Sequence, residues 1–320
     1  MKSNITIGTR SSKLALWQTN HIKEQLKKSF PQIEITIKEI KTKGDHITDV
    51  ALSKIGDKGL FTKEIEDALL NNEIDLAIHS LKDLPTKLPN GLQIGAILKR
   101  EKPHDVFIAK DKIKFKELLP GSIIGTSSLR RIAQLKNLRQ DLAYTDLRGN
   151  LDTRIKKLYA GQYDAIVLAY SGVKRLEFED KITEHFNPLD ILPAVGQGAL
   201  AIEIRNDDNK IKELIKDLND NDTYLAINSE RSFLETLQGG CQVPIGAYSE
   251  ISNNKVVLHG VIVSLDGKRL VKDTLITNLE INDCKKLGKD LAHKLLQNGG
   301  KDILLEINQT IDRNCAFTDI

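Results

Sequence analysis

Cysteine is scarce in this chain of 320 residues. The three present, Cys241, Cys284 and Cys315, are an odd number without the paired spacing of a metal site. No metal is assigned. Long apolar runs are missing too; none approaches the roughly 20 residues that a membrane-spanning helix needs. Met1 to Gly8 enter a strand-like pattern almost at once, without the apolar stretch of a signal peptide. These absences lead us to expect a cytoplasmic protein with no membrane attachment, where disulfides are disfavoured. An excess of one charge is also lacking. Forty-seven Lys and Arg face 44 Asp and Glu, a net charge of +3, too small for a general nucleic-acid binder. There is neither a Gly-x-x-x-x-Gly-Lys loop nor a dinucleotide fingerprint, which weakens the case for a phosphate-binding regulator or transferase.

What is present is an ordinary globular composition, 40% hydrophobic and 28% charged, long enough for two or three domains. Ile5 to Thr9 reads as a buried strand, and Arg10-Ser11-Ser12 opens a helix running to about Lys28. Ile33, Ile35 and Ile37 alternate with polar residues, the period of a strand. The glycine-punctuated stretch from Thr42 to Gly59 is long enough to be a lid. Asp75 to His79 is a short strand ending in Ser80-Leu81-Lys82-Asp83-Leu84-Pro85. The plan then restarts. Ile124-Gly125-Thr126-Ser127-Ser128 repeats Ile7-Gly8-Thr9-Arg10-Ser11-Ser12, and Asp164 to Ala169 repeats Asp75 to Ser80. Tyr163 to Tyr170 reads as a strand. Alternating strands and helices predict two similar α/β domains, each around a mostly parallel sheet. The expected division is residues 1–99 plus 199–217, then 105–193, with hinges near 100–104 and 194–198. From 222 to 320 a smaller α+β unit is expected, with three antiparallel strands and a helix near Asp283 to Leu296.

The polar clusters share a position. Arg10-Ser11-Ser12, Lys82-Asp83, Ser127-Ser128-Arg130-Arg131, Arg148 and Arg175 all follow strand C-termini, where α/β sheets bind ligands against helix N-termini. Five arginines lie between Arg130 and Arg154. Any one cluster is explained by helix capping. Together they favour a cleft for a ligand with several negative groups. Asp83 is either a proton-handling carboxylate or a turn residue before Pro85. His79 reads as a core histidine. Cys241, behind Gly239-Gly240, is either a small apolar residue under a helix cap formed by Gly239 or a thiol reachable from outside.

Over almost its whole length the chain resembles the porphobilinogen deaminase family. The motifs are Ile7 to Ser12, Gly56 to Phe61, His79 to Pro85, Gly125 to Arg131, Leu147 to Asn150, Val195 to Gly198 and Gly239 to Pro244. The resemblance implies two doubly wound domains like those of type II periplasmic binding proteins, plus a third domain bearing a dipyrromethane cofactor on Cys241 through a thioether. It implies that four porphobilinogen units are deaminated and joined head to tail, that water frees hydroxymethylbilane, and that the enzyme is a monomer. By the same analogy Asp83 is catalytic. Lys82, Thr126, Ser128, Arg130, Arg131, Gly172 and Asp83 bind the cofactor with Cys241, and Arg10, Ser12, Phe61, Arg148, Arg154, Arg175 and Gln197 bind substrate. Three positions depart from the family pattern: Gln238 for a common Glu, Asp57 for a common Gly, and Asp152, whose charge is expected to oppose anion binding. A solute-binding protein holding an anion without reacting is the rival; the missing signal peptide and the Cys-bearing third unit stand against it.

Overall fold

The computed structural model describes residues 4–46, 59–239 and 243–316. The chain begins with β1 (Asn4–Thr9), α1 (Lys13–Ser29), β2 (Glu34–Glu39) and the single turn α2 (Lys43–His46). It resumes with α3 (Lys63–Leu70), β3 (Leu76–Ser80), a 3-10 turn (Leu81–Asp83) and β4 (Leu92–Ile97). Next come β5 (Asp105–Ala109), β6 (Ile123–Gly125), α4 (Leu129–Leu138), β7 (Ala143–Thr145), α5 (Leu151–Tyr159), β8 (Ala165–Ala169), α6 (Tyr170–Arg175) and β9 (Glu184–His185). The remainder is β10 (Leu200–Arg205), α7 (Asn209–Ile215), α8 (Asn221–Thr236), β11 (Ile245–Ser252), β12 (Lys255–Val263), β13 (Leu270–Asn278), α9 (Ile281–Leu295) and α10 (Lys301–Ala316). Most of the expected lid, Asp57 included, lies outside the described residues. Its two ends meet where Gly44 N–H donates to the Leu60 carbonyl at 2.9 Å.

Two five-stranded sheets share one plan, β2-β1-β3-β10-β4 and β7-β6-β8-β5-β9. In each, the first three strands are parallel and the fourth is antiparallel to both neighbours. Four of the five strands in each sheet therefore point the same way, as expected of a mostly parallel sheet, and one strand is reversed. The cause is the crossing: β5 and β10 are the strands that follow each passage between the two halves, and each runs against its neighbours. Isoleucine alternation explains the first core: Ile5, Ile7, Leu76, Ile78, Ile202 and Ile204 are buried with Ile22 and Leu26 of α1. Phe107, Ile124, Leu135, Ala165 and Val167 do the same in the second sheet. Gly198, at the second crossing, has φ +94°, and a Cβ there would stand 2.3 Å from the Glu101 carbonyl oxygen. Only glycine lets the two crossing segments approach so closely.

The third unit is the antiparallel sheet β11-β12-β13, with α8 and α9 packed against each other and against it. Its core holds Phe233, Leu258, Ile262, Leu287 and Leu291. A Cβ on Gly288 of α9 would lie 2.3 Å from the Ser229 carbonyl oxygen of α8. The helix expected near Asp283 is followed by a second one, α10, after a break at Asn298 and Gly299, whose φ is +103°.

Candidate active site at the strand ends

The turn after β3 is built to present two side chains. Leu81 and Leu84 are buried with Ile97, Ala199 and Ala201, and Leu81 N–H donates to the Ala199 carbonyl at 3.1 Å. From the third unit, Arg231 holds the next segment by donating to the carbonyls of Pro85 (2.7 Å) and Thr86 (3.0 Å). With its apolar residues fixed below, the turn leaves Lys82 half-buried and Asp83 exposed.

Behind Lys82 lies a buried cationic group. Asp105, at the start of β5, is fully buried and accepts from Arg130 Nη1 (2.9 Å), Arg131 Nη2 (2.7 Å) and Gln197 Nε2 (2.8 Å). Burial alone would raise its carboxyl; the two arginines outweigh burial and hold it well below the usual carboxylate range. Arg130 also donates to the Leu192 carbonyl and Arg131 to that of Val167. Two cations on one carboxylate leave an uncompensated positive charge. The Nε atoms of both arginines and Oε1 of Gln197 are buried without hydrogen-bond partners. Lys82 has no hydrogen-bond or ion-pair partner among the described residues. Its ammonium is lowered to about 8, chiefly by burial, with Arg131 and Arg130 adding to the fall and Asp83 and Asp105 opposing it. Arg154, whose Nε donates to the Gly149 carbonyl at 2.7 Å, is lowered to about 10 by burial and by Arg131 and Arg148, with Asp83 opposing. Lys82, Asp83, Arg130, Arg131 and Arg154 thus share one electrostatic environment.

Asp83 also lines a cavity of about 70 Å³, together with Arg10, Ser12, Gln18, Phe61 and His79, among others. Arg10 pairs with Asp45, which also accepts from the Thr42 hydroxyl at 2.9 Å. Its guanidinium lies 4.3 Å from the Phe61 ring centroid. Ser12 caps α1 by accepting from Ala15 N–H, and Ser128 caps α4 by accepting from Arg131 N–H. Thr126 Oγ1 accepts from Ser128 N–H at 3.3 Å. The serines therefore fix helix starts while facing the cleft.

Arg175, Gly172, Gln197 and Arg148 complete the expected set. Arg175 donates to the Gly198 carbonyl at 2.8 Å and lies 5.9 Å from the Trp17 ring. Burial lowers it to about 10, with Glu101 opposing. Gly172 packs against Leu151, and a Cβ there would be 3.0 Å from that side chain. Gln197 faces Pro103 and Asp105. Arg148 is half-buried, and its carbonyl accepts from Lys157. Asp152 is 3.6 Å from Lys13 of α1, an ion pair that absorbs part of the charge expected to oppose anions.

Cys241 lies outside the described residues, as do Gly240 and Gln242. The helix end before it differs from expectation. The residue in the left-handed conformation is Gln238, φ +51°, while Gly239 N–H donates to the Leu234 carbonyl at 3.0 Å. What Gly239 requires is room, since a Cβ there would meet Leu234 at 2.5 Å. Two contributors went unread in the sequence. Asp105 organises the arginines, and buried Gln18 donates to Ser80 Oγ at 2.8 Å. The one trace of Asp105 is an acid directly before the apolar run Val106 to Ala109. Among the described residues no group of three His, Cys, Asp or Glu could hold a metal ion, and no helix is long and apolar enough to cross a membrane.

Comparison with known proteins adds the following. The family model described as "Porphobilinogen deaminase, dipyromethane cofactor binding domain" matches residues 5–213, and "Porphobilinogen deaminase, C-terminal domain" matches 224–297. The porphobilinogen deaminase of Carboxydothermus hydrogenoformans is 54% identical over 309 residues, 97% of this chain and 99% of that protein. That of Desulforamulus reducens is 52% identical over 307 residues, 96% and 99% of the two chains. Among solved structures, the methionine binding protein MetQ aligns with 69% of this chain and 92% of its own at 10% identity and a TM-score of 0.45.

Proposed function

The chain belongs to the porphobilinogen deaminase family, and from that membership together with the cleft we propose that it is a hydroxymethylbilane synthase. It joins four porphobilinogen molecules head to tail on a dipyrromethane primer held by Cys241, releases ammonia at each addition, and hydrolyses off the linear product. The observation that carries this is the meeting of an exposed carboxylate, Asp83, with cationic donors that the protein leaves unsatisfied. Each pyrrole ring of the substrate bears an acetate and a propionate, so the growing product is a polyanion. The ammonium of Lys82, unpaired among the described residues, and the positive charge that Arg130, Arg131 and Arg154 gather beside it fit such a ligand.

When bound, the dipyrromethane supplies the pyrrole carbon to which the first unit is joined. Lys82, Arg130 and Arg131 would hold its carboxylates, beside Thr126, Ser128 and Gly172; Arg10, Ser12, Phe61, Arg148, Arg154, Arg175 and Gln197 would hold incoming substrate. Each addition breaks one C–N bond, forms one C–C bond and removes one proton from a ring carbon. Asp83 accepts hydrogen bonds from pyrrole N–H groups, stabilises the positive charge that develops as the amine leaves, and takes the proton. The segment 42–59 would cover the site and exclude water. We divide the chain for this purpose into residues 1–99 plus 199–217, 105–193 and 222–320, hinged near 100–104 and 194–198, and take the enzyme to be a cytoplasmic monomer of 35.8 kDa. No observation favours the non-reacting solute-binding alternative.

Intact-protein mass and peptide mapping test the proposal. The expected result is an adduct of two pyrrole units on Cys241, with turnover of porphobilinogen to hydroxymethylbilane and ammonia. In Asp83→Asn the adduct should persist while turnover falls about 10²–10⁴-fold, the usual contribution of a positioned acid–base group. A fully active protein without an adduct would overturn the proposal, and near-normal turnover in Asp83→Asn would remove the assigned role.

A further inference from the structure

Three buried ionisable side chains, one of them on the wall of the cavity that Asp83 lines, have no task in the chemistry above. His79 Nε2, on β3, lies 2.9 Å from Oε2 of Glu203 on β10, with side-chain exposures of 5% and 0%. Glu66, on α3, is buried beside them. The His79–Glu203 contact is short but not aligned as a hydrogen bond. His79 Nε2, both carboxylate oxygens of Glu203, Glu66 Oε1 and Thr62 Oγ1 are all buried without a directed partner. Two carboxylates buried together are costly unless protons or positive charge compensate them. Burial pushes Glu66 up, Glu203 adds to this, and nearby Thr62 and His79 oppose it. Asp67 also raises Glu66, and Glu203 adds its field to that of Glu235 at Arg231 of α8. Burial and the Glu203 charge thus favour the protonated form of Glu66.

Thr62, His79, Ser80 and Asp83 all line the same cavity of about 70 Å³. A water occupies about 30 Å³ of liquid and needs two to four polar partners. The space accommodates about two waters, and Thr62 and His79, two of the residues with orphan atoms, line it. Asp83 of the catalytic turn and His79, the trio's member at the cavity, are thus adjacent through a wettable space, with Arg10 at its wall and Glu203 behind His79.

We propose that His79, Glu203 and Glu66 form a proton store that serves Asp83 through water in this cavity. The inference rests on the function proposed above. When the ring C–H bond breaks, its electron pair restores the aromatic pyrrole and its proton goes to the Asp83 carboxylate. Water relays that proton to the His79 imidazole, where Glu203 balances the new charge. Asp83 is thereby ionised again before the next unit enters, and the stored proton leaves with the departing ammonia as ammonium. His79, Glu203 and Glu66 act through Asp83 and touch no substrate.

The test compares wild type with Glu66→Gln and His79→Gln, both close in size to the residues replaced. At saturating porphobilinogen, kcat should fall roughly ten- to a hundred-fold, within the range for assisted proton transfer, with KM changed less than about twofold. The kcat–pH profile should lose or shift one limb, and the solvent deuterium isotope effect should rise. Independently of turnover, infrared spectra of the apoprotein should show a protonated carboxyl band that Glu66→Gln removes. Wild-type kcat and pH profile in both variants would overturn the store alone. Wild-type protein that forms no product would overturn the proposed function and the store with it. Lack of the carboxyl band in folded wild-type apoprotein would also overturn the store.

Discussion

Lys82 and Asp105 place opposite demands on the base of the cleft. Lys82 carries a half-buried charge with no partner among the described residues, lowered from an ordinary 10.5 to about 8. A lysine lowered on folding is a liability while charged. Between about pH 8 and 10.5 the unfolded chain binds the additional proton, so stability contributed by this group rises with pH through that window and its penalty is fully present below it. Lys82→Met should therefore stabilise the apoprotein at pH 7, and the gain in Tm over wild type should shrink toward pH 10; a pH series of thermal melts checks this. Loading with the anionic primer should reverse the order, because the ligand supplies the missing counter-charge. Asp105 behaves oppositely. Its lowered carboxyl contributes stability present at neutral pH and lost as pH falls below its ordinary 3.8. Asp105→Asn should cost about 3–5 kcal/mol in urea denaturation at pH 7, since it strands two buried guanidiniums. Strand-end positions made Asp83, Lys82 and the arginines legible in the sequence. Asp105, Glu203 and Glu66 were not, because a buried carboxylate and a surface one are written with the same letter and only the fold separates them.

At the scale of elements, periodicity carried most of the fold, and its failures have local causes. The apolar run Tyr163 to Tyr170 reads as one strand, but β8 ends at Ala169. The Tyr170 N–H turns to the His104 carbonyl at 3.1 Å and α6 begins. Strand β9 has two residues, too few for any period to register. The repeat between halves showed that two sheets exist; it did not show that β5 and β10, the strands following the crossings, run against their neighbours. Gly239 had every local mark of a helix cap, yet Gln238 takes the left-handed backbone because packing on Leu234 and Ile245, not φ, is what excludes a side chain at 239. The same distinction sets an expectation for α8 and α9. Gly288 is ordinary in φ, so its need is purely spatial: a Cβ 2.3 Å from Ser229 O and 2.7 Å from Phe233 N meets backbone that cannot rotate away. Gly288→Ala should force the helices apart and cost about 1–3 kcal/mol despite alanine's better helix propensity. Denaturant titration checks this, and a gain in stability would mean that the helix pair is loose.

The whole molecule is tied together at Glu230, on α8 of the third unit. Its carboxylate is fully buried and accepts from Arg100 Nη1 (2.6 Å) and Nη2 (3.2 Å), Gly196 N–H (2.8 Å) and Ser249 N–H (2.7 Å). Arg100 belongs to the first crossing between the sheets, Gly196 to the second, and Ser249 to β11. Arg100 Nε also donates to the Gln197 carbonyl at 2.8 Å. One carboxylate therefore joins both crossings to the sheet next to the segment that carries Cys241. Because every acceptor position is filled, removing one partner leaves buried charge that nothing else satisfies. Arg100→Met should cost about 3–5 kcal/mol. Arg100→Lys should recover only part of that, because an ammonium cannot reproduce the two-pronged contact while also reaching Gln197. Cooperativity should change as well as the midpoint. With the tie intact, fluorescence of the single Trp17 on α1 and far-ultraviolet dichroism of the whole chain should report one urea transition. Without it, the third unit should melt apart from the two sheets and the two probes should separate. Coincident transitions in Arg100→Met would show that apolar packing between the units, rather than this carboxylate, carries their coupling.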